Sequence, residues 1–175
     1  MAILVNLGLS HDTTQFACDS IQWYWNRVGQ QAYPEASSML LLFDGGGTNA
    51  ARKYLFKQDL QAVANHTNMT VHVAHYPSYC SPVFRERDNP IERRFFPHLS
   101  RVCTGMLLDT LDRVVQLLRK ATTQTGLRTT VNVIKRTYET GRKATDKMKE
   151  AIRSTVQFAE VLPKWNYTIT PQIKH

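Results

Sequence analysis

An apolar run that ends on an acid and three glycines constrains this chain more than any other stretch. Residues 39–43 read Met-Leu-Leu-Leu-Phe, and they are followed by Asp44, Gly45, Gly46 and Gly47. A short apolar run bounded by turn residues predicts a strand buried on both faces, as in parallel sheets covered by helices. Asp44 then lies at the carboxyl end of that strand, where the ligands of open α/β sheets bind. A tight strand-to-helix turn with Asp44 as a solvated cap is the alternative.

The composition is that of a globular protein with a basic charge balance. Of the 175 residues, 42% are hydrophobic, which is enough for one domain or for a domain with an arm. The 22 Lys and Arg exceed the 14 Asp and Glu, and the formal charge of +8 favours a polyanionic partner such as nucleic acid. Residues 2–9 are apolar but too few for a signal peptide or a membrane span, so we expect a strand there and no membrane partner.

The three cysteines do not suggest a metal site or a secreted protein. Cys18, Cys80 and Cys103 are an odd number without CxxC spacing. An odd number of cysteines without this spacing indicates neither a zinc site nor a disulfide framework. A reducing, cytoplasmic location is therefore expected.

A helix is predicted between the first two strands. Asp12 and Gln15 have the spacing of an N-cap and a capping box, and Gly29 is expected to end the helix. Trp23 and Trp25 lie partly off its apolar stripe. Packing against a sheet is a more frequent role for such tryptophans than base stacking, so we expect packing.

The glycine turn is followed by a second amphipathic helix, which we predict over residues 49–66. Its inward positions are Leu55, Phe56, Leu60, Val63 and Ala64, and its outward basic residues are Arg52, Lys53 and Lys57. Basic residues near the start of this helix, beside Asp44, could meet phosphate, although such charges more often form a solvated face.

Residues 69–76 then alternate between apolar and polar side chains, as in a strand. His72 and His75 would lie on its opposite faces, so a shared metal site is not expected.

A second motif begins a helix after a long loop at residues 77–88. Asn89 is a suitable N-cap, Pro90 suits the first helical position, and Glu92 takes the third position. A glutamate there completes a capping box, which explains Glu92 without any catalytic role. Pro97 is expected to kink this helix.

Four further elements are predicted in the last seventy residues. Residues 107–120 form an amphipathic helix, with Leu107 on the apolar stripe. Residues 129–134 alternate, and a short hairpin is predicted there. Thr145 caps a helix that ends near residue 155, and residues 165–169 form an extended tail.

This order of motifs resembles the second half of a ribonuclease-H-like DDE transposase core, and more closely the insertion-sequence transposases of the Rhodopirellula transposase family. In that family an Asp-Gly-Gly-Gly-(Ser/Thr)-Asn turn carries the second catalytic aspartate, and an Asn-(Pro/Lys)-Ile-Glu helix start carries the glutamate. The matching stretches here are residues 44–49 and 89–92. Further similarity at residues 11–17, 122–127 and 165–169 extends the resemblance over nearly the whole chain.

The resemblance implies an α/β fold with a partial ribonuclease-H-like core. Residues 1–121 would form a mixed sheet flanked by helices, and residues 122–175 an arm of hairpin, helix and extended tail. On this resemblance the sequence is expected to begin near the family's third strand, so that the family's first strands and first aspartate would be missing from it. The strand over residues 39–43 would then have an unpaired apolar edge.

The resemblance also implies DNA transposition by two-metal phosphoryl transfer. Asp44 and Glu92 would be the catalytic ligands of Mg²⁺ or Mn²⁺. The residues expected to contact DNA phosphates are Arg52, Lys53, Arg93 and Arg94. Expected partners are DNA and either the N-terminal portion of the transposase or a full-length copy. Without the first acid, the chain by itself is expected to be inactive.

Two other functions remain open. The chain could be a noncatalytic DNA-binding or interaction protein, either a decayed remnant or a regulator of a full-length transposase. It could also be a nucleotide-binding enzyme that uses Gly45 to Gly47 as a phosphate cradle. The absence of a following Lys-(Ser/Thr) and of GxGxxG disfavours that enzyme.

Overall fold

The computed structural model describes residues 2–43, 46–75, 95–122, 126 and 128–172. In chain order its elements are β1 (Ala2–Gly8), α1 (Thr14–Tyr24), a π-helical turn (Trp25–Gly29), α2 (Gln30–Ala32), β2 (Ser38–Phe43), a 3-10 turn (Gly47–Asn49), α3 (Tyr54–Thr67), β3 (Thr70–His75), α4 (Phe96–Cys103), α5 (Leu111–Arg119), β4 (Arg128–Ile134), α6 (Asp146–Thr155), β5 (Gln157–Phe158) and β6 (Asn166–Ile169). The chain forms two compact units, Met1–Leu9 with Tyr79–Arg136 and Ser10–Ser78 with Thr137–His175. The division into residues 1–121 and 122–175 stays a prediction.

The first unit is built on a parallel pair of strands. β1 pairs with β4 in a register that runs from Ala2 opposite Arg128 to Gly8 opposite Ile134. Apolar side chains from this pair and from α4 and α5 form a small core, which includes Val115, Leu118 and Val131. The predicted hairpin at β4 is wrong, because the partner of β4 is β1 and residues 135–145 contain no strand.

The second unit contains a four-stranded mixed sheet in the order β2-β3-β6-β5. β2 runs parallel to β3, whereas β6 runs antiparallel to both of its neighbours. The predicted mixed α/β architecture is therefore confirmed. The prediction that β2 is buried on both faces is wrong for the described residues, because β2 lies at the edge of the sheet and its side chains alternate between exposed and half-buried. The extended segment predicted at residues 165–169 supplies β6, which lies between two other strands of the sheet.

The core of the second unit is organised by α3. Phe56, Leu60, Val63 and Ala64 are fully buried, as the helical spacing predicted. They join side chains from α1, β3, β6 and α6 in one cluster, which includes Cys18, Val71, Val73, Ile152 and Ile169. The helix begins at Tyr54, five residues later than predicted.

The first helix differs from its prediction at both ends. Its N-cap is Thr13, whose hydroxyl accepts a hydrogen bond from the Phe16 amide at 3.2 Å, so the predicted Asp12 cap is wrong. Gly29 does not end the helix, which continues through a π-helical turn into α2. A Cβ on Gly29 would lie 2.3 Å from the Trp25 ring, so the glycine makes room for that ring. Trp25 itself is buried, which agrees with packing rather than base stacking, and Trp23 is half-buried.

Helix starts also correct two predictions in the first unit. α4 begins at Phe96, so Pro97 lies in its first turn. Amide groups of a first turn have no partner within the helix, so the proline costs no hydrogen bond there and the predicted kink is wrong. α5 begins only at Leu111, because Thr110 caps it through the Arg113 amide. Leu107 therefore precedes the helix and is 71% exposed, contrary to its predicted place on the apolar stripe.

The C-terminal helix follows its prediction closely. Thr145 is the N-cap of α6, and its hydroxyl accepts a hydrogen bond from the Met148 amide at 3.3 Å.

Of the helices in the described ranges, none has the length and apolar character needed to cross a bilayer.

Candidate active site

The carboxyl end of β2 is the described part of the candidate site. β2 ends at Phe43, immediately before Asp44. The Phe43 ring packs edge to face on Phe56, with ring centroids 5.1 Å apart, and lies 5.6 Å from the His75 ring. The residue that precedes Asp44 is thus fixed by aromatic contacts, although Asp44 and Gly45 themselves lie outside the described residues.

Of the two described glycines of the motif, only Gly47 is favoured by its backbone conformation. Gly46 is extended, with φ −105° and ψ 176°, and Gly47 has φ +66°. A Cβ built on either glycine would have no other atom within 4 Å, so there is room for a side chain at both positions. Glycine is favoured at position 47 because a positive φ strains residues that carry a Cβ.

Three polar contacts hold the segment of residues 46–53, which we call the glycine loop. The Thr48 hydroxyl donates to the Asp12 carboxylate, with 3.3 Å to each oxygen. The Asn49 carbonyl lies 2.8 Å from Nε2 of His75, and the Ala51 carbonyl accepts from Nζ of Lys57. Groups from the segment before α1, from β3 and from α3 therefore hold the glycine loop, which follows Asp44 in the sequence.

His75 links the glycine loop to the segment before β6. Its Nε2 faces the Asn49 carbonyl, and its Nδ1 lies 3.0 Å from the Trp165 carbonyl. A neutral imidazole can donate to only one of these oxygens, whereas the imidazolium donates to both. His72 lies on the opposite face of β3 and contacts Thr168, so the predicted separation of the two histidines is confirmed.

Lys57 is buried, so its predicted outward position is wrong. It lies three residues before Leu60 and seven before Ala64, which places its stem on the apolar face of α3. Its Nζ reaches the Ala51 carbonyl and lies 4.6 Å from the centroid of the Tyr167 ring. Burial lowers the pKa of the Lys57 ammonium to about 8.

The lowered pKa of Lys57 predicts a measurable pH dependence of stability. The unfolded chain, with the ordinary pKa of 10.5, binds more protons than the folded chain between about pH 8 and 10.5. The contribution of Lys57 to the free energy of unfolding should therefore increase with pH across that window, by about 1–3 kcal/mol. We expect the difference in melting temperature between the wild type and Lys57→Met to shift in favour of the wild type from pH 7.5 to 10.

The comparison with Lys57→Met removes other titrations from this measurement. Burial raises the pKa of Cys18 and of Tyr167, but both residues are present in both proteins. A difference in melting temperature that stays constant from pH 7.5 to 10 would show that the Lys57 ammonium is not held in a buried site.

The predicted site residues fall into two groups. Arg52 and Lys53 are exposed, as predicted, but they lie at the end of the glycine loop, directly before α3, and not within the helix as predicted. Asp44, Glu92, Arg93 and Arg94 lie outside the described residues, so their roles stay predictions. In the described part of the chain, no group of three or more His, Cys, Asp or Glu side chains could hold a metal ion.

Sequence reasoning missed the residues that hold the glycine loop. Asp12 has a capping side chain, but the adjacent Thr13 takes that role and leaves the carboxylate for Thr48. The signal in the sequence was that Asp12 and Thr13 are adjacent and both are of types that cap helices, so only one of them was needed as the cap. The contacts of Lys57 and His75 with loop carbonyls depend on tertiary structure and have no local sequence signal.

The comparison with protein families agrees with the motif order. The model of the Rhodopirellula transposase DDE domain matches residues 2–171, nearly the whole chain. The chain belongs to this family of transposase DDE domains. Neither the curated proteins nor the solved structures contain a significant match. DDE transposase domains generally use divalent metal ions.

Proposed function

We propose that this chain forms part of the catalytic core of a transposase that cuts and joins DNA ends by two-metal phosphoryl transfer. The family match over residues 2–171 is the observation that carries the proposal. Asp44 and Glu92 would be the metal ligands supplied by this chain. The position of Asp44 directly after a parallel strand supports this role, because ligand sites of α/β sheets lie at that edge.

Carboxylates suit the proposed chemistry. Paired divalent cations stabilise the attacking and leaving oxygens of an in-line displacement at phosphorus. Asp44 and Glu92 supply the oxygen ligands that Mg²⁺ and Mn²⁺ prefer. The three contacts on the glycine loop support the aspartate, since a ligand is most effective when its backbone is held in place.

Basic side chains would hold the DNA. Arg52 and Lys53 are exposed at the end of the glycine loop, which follows Asp44 in the sequence. Arg93 and Arg94 directly follow Glu92 in the sequence. Contacts from these four residues to phosphates would position the DNA without reading its sequence.

The edge of β2 supports a protein partner. Among the described residues only β3 pairs with β2, and Leu40 and Leu42 are 64% and 55% exposed on one face. An apolar strand of this kind is typical of the middle of a sheet, and an open edge invites another strand. The proposed partner is a polypeptide that supplies a strand and the third acid, either the N-terminal portion of the transposase or a full-length copy.

The need for a third acid predicts that the purified 175-residue chain does not cut DNA. We expect no nicking of supercoiled plasmid with Mg²⁺ or Mn²⁺, and the same background for the wild type and for Asp44→Ala. Gel electrophoresis of the plasmid measures the outcome. Metal-dependent nicking by the wild type that disappears in Asp44→Ala would contradict the need for a partner, while supporting the role of Asp44.

The open edge of β2 also favours a second candidate, a noncatalytic regulator that joins a full-length transposase. Such a regulator would bind DNA or the transposase without supplying metal ligands. Its DNA affinity should fall steeply with salt if phosphate contacts dominate. Reconstituted activity that requires Asp44 of this chain separates the catalytic proposal from this alternative.

A further inference from the structure

Arg153, in the last turn of α6, is held beside the first residue of α3. Its Nε donates a hydrogen bond to the Tyr54 hydroxyl at 3.1 Å, and its guanidinium carbon lies 5.6 Å from the centroid of the tyrosine ring. Tyr54 in turn packs against the core of the second unit. The end of one helix is thereby fixed next to the start of the other.

Three exposed cations lie at or next to these two helix ends. Arg52 and Lys53 directly precede Tyr54, and Arg153 is exposed beside it. Among the described carboxylates, none forms an ion pair with these three residues. Asp146 pairs with Lys149 at 2.8 Å instead, and the attraction of Arg153 is only a minor cause of its lowered pKa.

The arrangement leaves donors of Arg153 free. A guanidinium carries five N–H groups, and the contact with Tyr54 uses only the one on Nε. The two terminal nitrogens can form the paired hydrogen bonds that a phosphate group accepts. Because Tyr54 already orders the side chain, less conformational entropy is lost when a phosphate binds.

We propose that Arg153, oriented by Tyr54, is a phosphate contact on one surface with Arg52 and Lys53, and that this surface binds the backbone of duplex DNA. The inference rests on the proposed function, and it adds α6 to the DNA interface. We call the four residues the α3–α6 basic surface. Unpaired cations fit a polyanion, since each phosphate contact releases counterions from the DNA.

The test measures binding of the 175-residue chain to a fluorescent duplex by anisotropy, over a range of salt concentrations. We expect Arg153→Ala to weaken binding about 3- to 10-fold at about 0.1 M salt and to reduce the slope of log K against log salt by about one. Tyr54→Phe removes the hydroxyl that orders Arg153, so it should cause a smaller loss with the slope unchanged.

Lys149→Ala is the matched control, because it removes the same charge from the same helix. Lys149 is already paired with Asp146, so we expect its loss to change the affinity less than about twofold. The melting temperature of each variant shows that the fold is intact. Competition by inorganic phosphate at millimolar concentration distinguishes a site for free phosphate from a site for DNA.

The possible results separate this inference from the proposed function. Tight, salt-dependent binding by the wild type that Arg153→Ala leaves within twofold would overturn the role of Arg153 alone. An equal loss in Lys149→Ala, or complete competition by millimolar phosphate, would also overturn it. If the wild type binds no duplex DNA at any salt concentration, the DNA contacts of the proposed function fail together with this inference.

Discussion

Replacing Asp44 with alanine should lower metal-dependent strand transfer by about 10³-fold or more in the transposase that contains this domain. On the proposed function Asp44 would supply a metal ligand, and several kcal/mol of transition-state stabilisation would depend on the metal ions. The assay is joining of a marker flanked by the ends of the element, in cells that supply the transposase. Asp44→Asn should cause a comparable loss, because it removes the charge while it preserves the size of the side chain.

A control for the Asp44 variants is Asp112→Ala. Asp112 is an exposed carboxylate in the first turn of α5, and its removal changes the net charge by the same amount. We expect Asp112→Ala to retain activity within about threefold, as surface substitutions usually do. Normal strand transfer by Asp44→Ala would refute the assignment of Asp44 as a catalytic residue.

Phe56→Ala should produce the largest loss of stability among single changes near the candidate site. Phe56 is fully buried, and its ring contacts the ring of Phe43, the last residue of β2. A Phe-to-Ala change in a core costs about 3–5 kcal/mol, because apolar burial is lost and a cavity remains. Urea denaturation, followed by a signal from the second unit, measures the change in the free energy of unfolding.

Phe56→Leu provides the comparison for this prediction. It retains most of the buried volume and removes the edge-to-face contact with Phe43, so we expect a loss of about 1–2 kcal/mol. A loss below about 1 kcal/mol for Phe56→Ala would show that α3 does not pack on the end of β2 as described. The position of the residue before Asp44 would then lose its structural support.

The periodic patterns of the sequence predicted the elements better than their partners. The stripe on α3 that includes Phe56 and Leu60 was visible because helical spacing repeats within the element. The strand at residues 129–134 was also predicted, but its pairing with β1 was not. Alternation shows which side chains share a face, and it contains no information about which strand lies alongside.

Long side chains explain the principal error on α3. Lys57 was placed outward because it is charged, yet its carbon stem lies on the apolar face and its ammonium ends at a backbone carbonyl. A lysine can bury its stem while its head finds a polar partner, so charge alone does not decide its direction. The partner, the Ala51 carbonyl, could not be known before the glycine loop was folded.

The candidate site shows the same division between local and tertiary information. The acid-and-glycine motif predicted a tight turn after the strand, and the structure shows where that turn favours a glycine, at Gly47 with φ +66°. The support comes from Asp12, just before α1, and from His75, the last residue of β3, and both are far from the glycine loop in the sequence. Only the folded chain reveals contacts of this kind.

The central claim is that Asp44 and Glu92 come together to bind divalent cations. A crystal structure of the 175-residue chain grown with Mn²⁺, in which anomalous scattering locates the metal, tests it most directly. We predict a manganese peak with a carboxylate oxygen of each residue within inner-sphere distance, about 2 Å. Carboxylates of residues 44 and 92 at opposite ends of the molecule, with manganese bound at neither, would contradict the claim.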